Sequence, residues 1–340
     1  MSADTKQTQV VSTPQVKSGT SSKDQSHWAH FIAGGVGGGV AAFITCPLEV
    51  IKTRNQALHR KQLLEQHAFG TRTVYSFLDI YRTEGVRGLF KGLGPNLVGV
   101  APARALHFST YSGVKRFLVS SGFADSSAVH LTSAIVAGIS VHTITGPIWL
   151  VKTRMQLQIS DKANPDQKYY KNSFDCVRTV FREEGIRGFY KGLVASYFGV
   201  SESALQFVLY EKLKTAMKTH KYHLMNSTSN KPTPAELEDV NLSPLEYLTM
   251  ASAAKLVAAA ATYPHEVVRT RMREQRGLQP GQVHKYTGFF QALKLIAVEE
   301  GTRGLYGGMG AHLIRVTPNA AIMFLTYETI VKLLTKSAQQ

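Results

Sequence analysis

The chain has 340 residues, of which 18% are charged, and its 39 Lys and Arg against 23 Asp and Glu leave a formal net charge of +16. Such an excess of positive charge indicates an anionic partner, which can be nucleic acid, a membrane surface or a small substrate. The two cysteines, Cys46 and Cys176, lie in dissimilar contexts and indicate neither a disulfide framework nor a metal site. The mean hydropathy of −0.10, taken alone, is typical of a soluble protein.

Residues 1–26 contain many Ser, Thr and Gln and no Arg. This composition is typical of disordered segments and lacks the Arg enrichment of a transit peptide. The segment also lacks the apolar core of a signal peptide. We therefore predict a disordered N-terminal tail ahead of the first helix.

After this tail the sequence repeats three times. Pro47, Pro147 and Pro264 each open a P-x-x-x-x-(K/R)-T-R segment, and 36 or 37 residues later Glu-Gly opens the related endings EGVRGLFKG, EGIRGFYKG and EGTRGLYGG. Self-similarity at a fixed spacing indicates a repeat architecture. The repeats are expected at 27–120, 125–219 and 244–336, with an exposed linker at 220–243.

The sequence of each repeat predicts a long helix, then a short amphipathic helix and then a second long helix. The long helices are expected near 28–58, 91–119, 129–158, 191–218, 244–275 and 307–335, and the short ones near 73–84, 174–184 and 287–300. A helical segment of about 20 residues crosses a bilayer core. Small and polar residues interrupt the apolar runs, which fits helices with one face in lipid and one toward a water-filled cavity. The predicted fold is an all-α membrane protein with six transmembrane helices.

Three copies of P-x-(D/E)-x-x-(K/R)-x-(K/R), each followed by E-G-x-x-G, resemble the mitochondrial carrier family. The resemblance implies a monomeric six-helix bundle with pseudo-threefold symmetry, in the mitochondrial inner membrane, with the short helices on the matrix side. It also implies a central substrate site with alternating access from cytosol and matrix. The second copy departs from the pattern, because Trp149 replaces the acid. That form is similar to the branch carrying pyrimidine nucleotides, NAD, FAD and folate. The stretches GLGPNLVGVAPARALHF and YFGVSESALQFVLYE are most similar to pyrimidine-nucleotide carriers.

The resemblance implies a gate at the matrix ends of the motif helices. By symmetry the contacts are expected between Glu49 and Lys152, between Glu266 and Lys52, and between Trp149 and Arg269. Trp149 cannot form a salt bridge, so a cation–π contact with Arg269 is its expected role, and packing against lipid is the alternative. Gln56 and Gln156 are expected to brace the ion pairs, while Arg273 leaves the third brace missing. A purely structural network is the alternative for the whole set.

The resemblance also implies a cytoplasmic gate on the second long helix of each repeat, with an aromatic-acid-x-x-base pattern. YEKLK is complete, YSGVK lacks the acid and YETIV lacks the base. The gate residues are Lys115, Glu211, Lys214 and Glu328. Only Glu328 with Lys115 can then pair between neighbouring repeats. We therefore expect the matrix gate to outweigh the cytoplasmic one and the cytoplasm-open state to be favoured.

Charged residues inside membrane helices are costly and usually mark the transport path. Phosphate groups favour cationic donors, so the expected phosphate ligands are Arg104, Lys255 and Arg315. The expected polar contacts to base or ribose are His107, Glu202 and Gln206. An ion pair of Arg104 or Arg315 with Glu202 is the alternative for those arginines, and a purely structural role is the alternative for His107.

The favoured hypothesis is an antiporter that exchanges pyrimidine nucleoside mono-, di- and triphosphates, with deoxy forms as further candidates. FKG, YKG and YGG resemble the cardiolipin-binding elements of the family, although Gly307 replaces the base in the third copy. No nucleophile–base pair, metal-ligand spacing or phosphate-binding loop indicates an enzyme, a cofactor or a metal. The alternatives are a carrier of NAD, FAD or another bulky anion, a soluble nucleic-acid-binding repeat protein, and an adaptor that keeps the fold without transport.

Overall fold

The computed structural model describes most of the chain. The described residues are 20–57, 71–158, 169–226, 233, 236–237, 240–275 and 284–337. Residues 1–19 of the predicted disordered tail lie outside them, as do residues 227–232, 234–235 and 238–239 of the linker predicted at 220–243.

The described chain is built from helices, and no strand occurs in the described ranges. The helices are α1 Thr20–Gln56, α2 Arg72–Leu89, α3 Leu93–Ser120, α4 Ser127–Leu157, α5 Ser173–Gly188, α6 Leu193–Phe198, α7 Val200–Asn226, α8 Pro244–Thr262, α9 Pro264–Glu274, α10 Phe289–Leu305 and α11 Met309–Ser337. The all-α prediction is confirmed.

Four helix boundaries differ from the predicted ones. Helix α1 begins at Thr20 rather than near 28, and α7 continues to Asn226 rather than ending near 218. The long helix expected at 244–275 is divided into α8 and α9 at Tyr263, immediately before Pro264, which has no N–H to continue the helical ladder. A second division separates α6 from α7 at Gly199.

The short helices α2, α5 and α10 bend at the glycine of each Glu-Gly pair. Gly85, Gly185 and Gly301 have φ values of 68°, 65° and 64°, a left-handed conformation that glycine adopts without steric cost. The predicted short helices at 73–84, 174–184 and 287–300 therefore end at these bends.

The helices pack so that neighbouring repeats are joined. Helix α1 packs on α11, α3 on α4, and α7 on α8, while α1, α4 and α9 contact one another where they carry the repeated motif. We call that side of the bundle the motif end. There the side chains that follow each proline are brought together.

Two described helical segments, 34–56 and 127–157, are long and apolar enough to cross a membrane alone, and the bent unit from Ser173 to Met225 supplies up to one more. Phe108, Phe117 and Leu325 are 69%, 69% and 62% exposed, as expected of side chains that face lipid rather than water. These features favour a membrane protein over the soluble nucleic-acid-binding alternative.

Candidate functional site

Two ion pairs join different repeats at the motif end. Lys152 Nζ lies 2.6 Å from Glu49 Oε1, and Lys52 Nζ lies 2.5 Å from Glu266 Oε2. The structure thus brings together the two acid–base pairs expected for the matrix gate. Both pairs are largely buried, so their attraction is screened less than that of a surface pair.

Trp149 occupies the third position without an acid. Its indole Nε1 donates to Thr145 Oγ1 at 2.8 Å, and Lys152 Nζ lies 4.9 Å from the ring centroid. Arg269, the expected partner, instead places Nη2 3.6 Å from Glu266 Oε1 on its own helix. The cation–π expectation was therefore wrong about the partner, since Lys152 is one turn away on α4. Gly99 makes room for the ring, because a Cβ there would lie 3.2 Å from it.

A threonine of each repeat contacts the residue in the brace position of the next. Thr53 Oγ1 donates to Gln156 Oε1 at 2.9 Å, and Thr270 Oγ1 donates to Gln56 Oε1 at 2.7 Å. In the third set, Arg273 Nη1 donates to Thr153 Oγ1 at 3.4 Å and Nη2 donates to Ser196 Oγ at 3.2 Å. The third brace was expected to be missing, but Arg273 occupies its position, because this longer side chain reaches both hydroxyls.

Below these contacts lies a ring of three buried arginines that sequence reasoning did not assign. Each guanidinium binds a glutamate of its own repeat, in the pairs Arg54 with Glu84, Arg154 with Glu184, and Arg271 with Glu300. Each Nε also donates to a backbone carbonyl of the neighbouring repeat, at Gln156, Arg273 and Gln56 respectively. The ring therefore fastens repeat to repeat. Its signal in the sequence was the threefold recurrence of T-R and E-G.

Two of the three glutamates have a second basic partner. Lys91 Nζ lies 2.5 Å from Glu84 Oε2, and Lys191 Nζ lies 2.7 Å from Glu184 Oε2. These are the lysines of FKG and YKG, and Gly307 stands at the third position. The lysines thus balance a carboxylate inside the protein in addition to any lipid contact.

Arg104 and Arg315 line one cavity of about 260 Å³ above the motif end, together with Trp149 and Asn319. Arg315 Nη1 lies 3.5 Å from Glu49 Oε1, and Arg104 Nη2 lies 2.8 Å from Met323 Sδ. A thioether is a weak acceptor, so the Arg104 guanidinium remains available to an anion. The alternative pairing of either arginine with Glu202 is not what the structure shows.

Glu202 and Lys255 form an ion pair with each other, with Nζ 2.5 Å from Oε1. Sequence reasoning placed both on the transport path as separate ligands and missed this contact between α7 and α8. Gln206 is half-buried on the same helix as Glu202. His107 lines a cavity of about 600 Å³ with His142. The space around the gate residues also borders on His142, so the two cavities are neighbours.

Glu202, His265 and Glu266 offer ligand atoms that all lie within 4.8 Å of one another. The grouping was not predicted, because its members come from different helices. Each carboxylate already has a lysine at 2.5 Å, Lys255 for Glu202 and Lys52 for Glu266. The protein therefore balances this negative charge itself.

At the opposite end of the bundle three of the four expected cytoplasmic-gate residues are engaged locally. Lys115 Nζ lies 2.9 Å from Asp125 Oδ2 rather than pairing with Glu328, and Lys214 Nζ lies 3.7 Å from Glu211 on its own helix. The hydrogen bond from Lys115 lowers the pKa of Asp125, and the nearby charges of Lys115 and His130 lower it further. Asp125 lies in the loop between α3 and α4.

Comparisons with known proteins agree with this arrangement. The sequence profile of the family described as "Mitochondrial carrier protein" matches residues 23–122, 124–221 and 240–338. The chain is 42% identical over 319 residues to solute carrier family 25 member 36 of Gallus gallus, covering 90% of this chain and 97% of that relative. It is 39% identical over 355 aligned positions to the mitochondrial pyrimidine nucleotide transporter RIM2 of Saccharomyces cerevisiae, covering 97% and 89%. The chain belongs to the mitochondrial carrier family, as its triple motif predicted.

Proposed function

We propose that this carrier exchanges pyrimidine nucleotides across the mitochondrial inner membrane and performs no covalent chemistry. The observation that carries the proposal is the pair of arginines, Arg104 and Arg315, in one cavity above two inter-repeat ion pairs. Guanidinium groups bind phosphate oxygens in a planar, two-pronged geometry. The pyrimidine preference is supported by the relative named as a pyrimidine nucleotide transporter. The same chemistry accommodates mono-, di- and triphosphates.

Substrate binding is coupled to the gate through Arg315. Its guanidinium lies 3.5 Å from Glu49, which also holds Lys152 at 2.6 Å. A phosphate that draws Arg315 away removes one of the two cations beside Glu49 and so changes the stability of the closed gate. Exchange then follows from a shift between two conformations, driven by the different affinity of the substrate for each.

The arrangement of the two ends supports a cytoplasm-open conformation. The motif end is held by Glu49 with Lys152 and Glu266 with Lys52, while Lys115 at the other end holds Asp125. For closure on the cytoplasmic side, Lys115 leaves Asp125 and binds Glu328. His107 and Gln206 face the base and ribose of the nucleotide in this scheme, and Lys255 joins the phosphate site when Glu202 releases it.

The carrier acts as a monomer in a cardiolipin-containing membrane. The starts of α3, α6 and α11 each follow a glycine at Gly92, Gly192 and Gly308, and free amides at a helix N-terminus bind phosphate groups. Lys91 and Lys191 add positive charge at two of the three sites.

Counter-exchange in cardiolipin liposomes tests the function. We expect rapid uptake of labelled UTP by liposomes preloaded with UTP, little uptake by empty ones, and competition by CTP but not by ATP, NAD or FAD. Competition by NAD or FAD alone would move the substrate to the bulky-dinucleotide alternative. Absence of uptake of all of them by folded protein would leave an adaptor role.

The Trp149→Glu variant is expected to exchange nucleotide more slowly. A carboxylate at this position borders the same space as Arg269, so a third inter-repeat ion pair can form. An added pair of about 1 kcal/mol slows opening about fivefold. The measurement is the initial rate of UTP exchange.

Two further variants separate the ion pair from the loss of the indole. Trp149→Phe keeps an apolar ring without an acid and is expected to exchange at close to the normal rate. Adding Arg269→Gln to Trp149→Glu removes the new pair and is expected to restore the rate. A Trp149→Glu carrier as fast as the unaltered protein would contradict the gate assignment.

A further inference from the structure

A polar side chain points toward the gate from the first turn of each of α3, α6 and α11. The three positions are equivalent, because each lies four residues after a glycine with a φ between 75° and 79°. They are Asn96, Ser196 and His312, which are 5%, 0% and 5% exposed. The repeated backbone thus places three chemically different side chains at the same height of the bundle.

In two of the repeats this side chain bonds to the gate. Asn96 donates from Nδ2 to Glu49 Oε2 at 3.3 Å and accepts from Lys152 Nζ at 2.9 Å, so one amide bridges both members of the ion pair. Ser196 Oγ accepts from Arg273 Nη2 at 3.2 Å. Both side chains are satisfied in this conformation.

His312 differs, because neither ring nitrogen has a hydrogen-bond partner among the described residues. Its Nδ1 lies 4.0 Å from Glu266 Oε2, next to the Lys52 pair. The ring packs 5.7 Å from that of Tyr263, centroid to centroid. A buried polar group without a partner destabilises the conformation that contains it. The gate between repeats 3 and 1 therefore contains an unmet donor beside its own carboxylate.

We propose that His312 is a positioning residue of the gate, which binds the Glu266 carboxylate when Lys52 leaves it and so helps the interface between repeats 3 and 1 to open. The inference rests on the proposed function, since it assigns the residue to the opening step of that carrier. Closing the 4.0 Å separation to a hydrogen bond of about 2.8 Å needs a movement of about 1 Å. A released Glu266 would otherwise be a buried carboxylate without its lysine.

The asymmetry also orders the opening. The Glu49–Lys152 pair is bridged by Asn96, whereas the Glu266–Lys52 pair has no such bridge from His312. Because opening the bridged pair also breaks the hydrogen bond from Lys152 in repeat 2 to Asn96 in repeat 1, the interface between repeats 3 and 1 opens before the interface between repeats 1 and 2.

Replacement of the imidazole tests the proposal. We expect His312→Leu to lower the maximal rate of UTP exchange about tenfold with little change in KM, because opening slows while the arginine site is intact. His312→Asn keeps an N–H donor at the place of Nδ1 and is expected to restore most of the rate. His220→Leu, at an exposed histidine of α7, is the matched control and should leave the rate unchanged.

A comparison in a Lys52→Gln carrier distinguishes a role of His312 in opening from a purely structural role. In that background Glu266 has already lost its lysine, so His312→Leu should change the rate by less than twofold. An equal loss in both backgrounds would overturn the proposal. So would a His312→Leu carrier as fast as the unaltered one, or a His312→Asn carrier as slow as His312→Leu.

Labelling of an introduced cysteine follows gate opening without a transport assay. Ala103 lines the space above the gate, and both native cysteines are buried. In an Ala103→Cys carrier we expect an impermeant maleimide at the matrix face to react several-fold more slowly once His312→Leu is added. A carrier that shows this difference but exchanges no UTP would reject the proposed substrate and keep the inference. Equal labelling rates would overturn the inference whatever the substrate is.

Discussion

Replacement of Arg154 by leucine is expected to lower the apparent unfolding temperature of the detergent-solubilised carrier by more than any gate substitution. The Arg154 side chain is 1% exposed and binds both oxygens of Glu184, which is itself 5% exposed. Removing one partner of a buried ion pair costs up to about 3–5 kcal/mol, and Glu184 then keeps only Lys191, whose Nζ lies 2.7 Å from Oε2. Arg154 also donates to the backbone carbonyls of Arg273 and Gln275, so two hydrogen bonds between repeats 2 and 3 are lost with it.

A double variant separates the contribution of the Arg154–Glu184 ion pair from that of the backbone hydrogen bonds, and an exposed ion pair serves as the control. Arg154→Leu combined with Glu184→Leu removes the carboxylate that has lost its arginine and should recover part of the loss. The carbonyl of Arg273 still lacks the hydrogen bond from Arg154, and that of Gln275 keeps only the one from Lys191. Lys285→Ala breaks an ion pair whose side chains are 38% and 35% exposed and should cost at most about 1 kcal/mol. If Arg154→Leu were no more damaging than Lys285→Ala, the ring of arginines would have no role in joining the repeats.

Arg104→Gln is expected to raise the KM for UTP by about tenfold or more with little effect on the maximal rate. A hydrogen bond to a charged group contributes about 1.5–3 kcal/mol, and every 1.4 kcal/mol is about tenfold in affinity. Among the described residues, Arg104 hydrogen-bonds to the sulfur of Met323 and forms no ion pair, so its replacement leaves no protein carboxylate without its partner. The KM for UMP should rise less than that for UTP, because UMP carries fewer phosphate groups.

Arg315→Gln is expected to change both kinetic constants. This arginine lines the same cavity but also lies 3.5 Å from Glu49, so its loss alters the gate as well as phosphate binding. Lys294→Gln, at an exposed position of α10, is the charge-matched control. Equal effects of Arg104→Gln and Lys294→Gln on the KM would contradict the phosphate assignment.

The repeat made the fold predictable, because three copies in register fix both the helix order and the symmetry of the contacts. The pairing of Glu49 with Lys152 followed from that symmetry and from nothing local. The same symmetry concealed the places where the repeats differ. No pattern in the sequence shows that Lys255 pairs with Glu202 on a neighbouring helix.

The remaining differences depend on side-chain reach and packing. Trp149 and Arg269, which were expected to contact each other, line one space, but Lys152 lies over the Trp149 ring and Glu266 lies beside the Arg269 guanidinium. Lys115 pairs with Asp125, which lies in a loop outside the repeated motifs. The assignment of these side chains to gates and to the substrate stays a prediction that the variants above test.

The pairing of α1 with α11 sets the order in which the molecule can be completed. The first and last long helices are direct neighbours, and Arg271 of repeat 3 donates to the carbonyl of Gln56 in repeat 1. The three repeats therefore form a closed ring. Helix α1 therefore gains this neighbour only when the last helix of the chain is in place. A chain cut short before α11 would leave the face of α1 that packs on α11 uncovered.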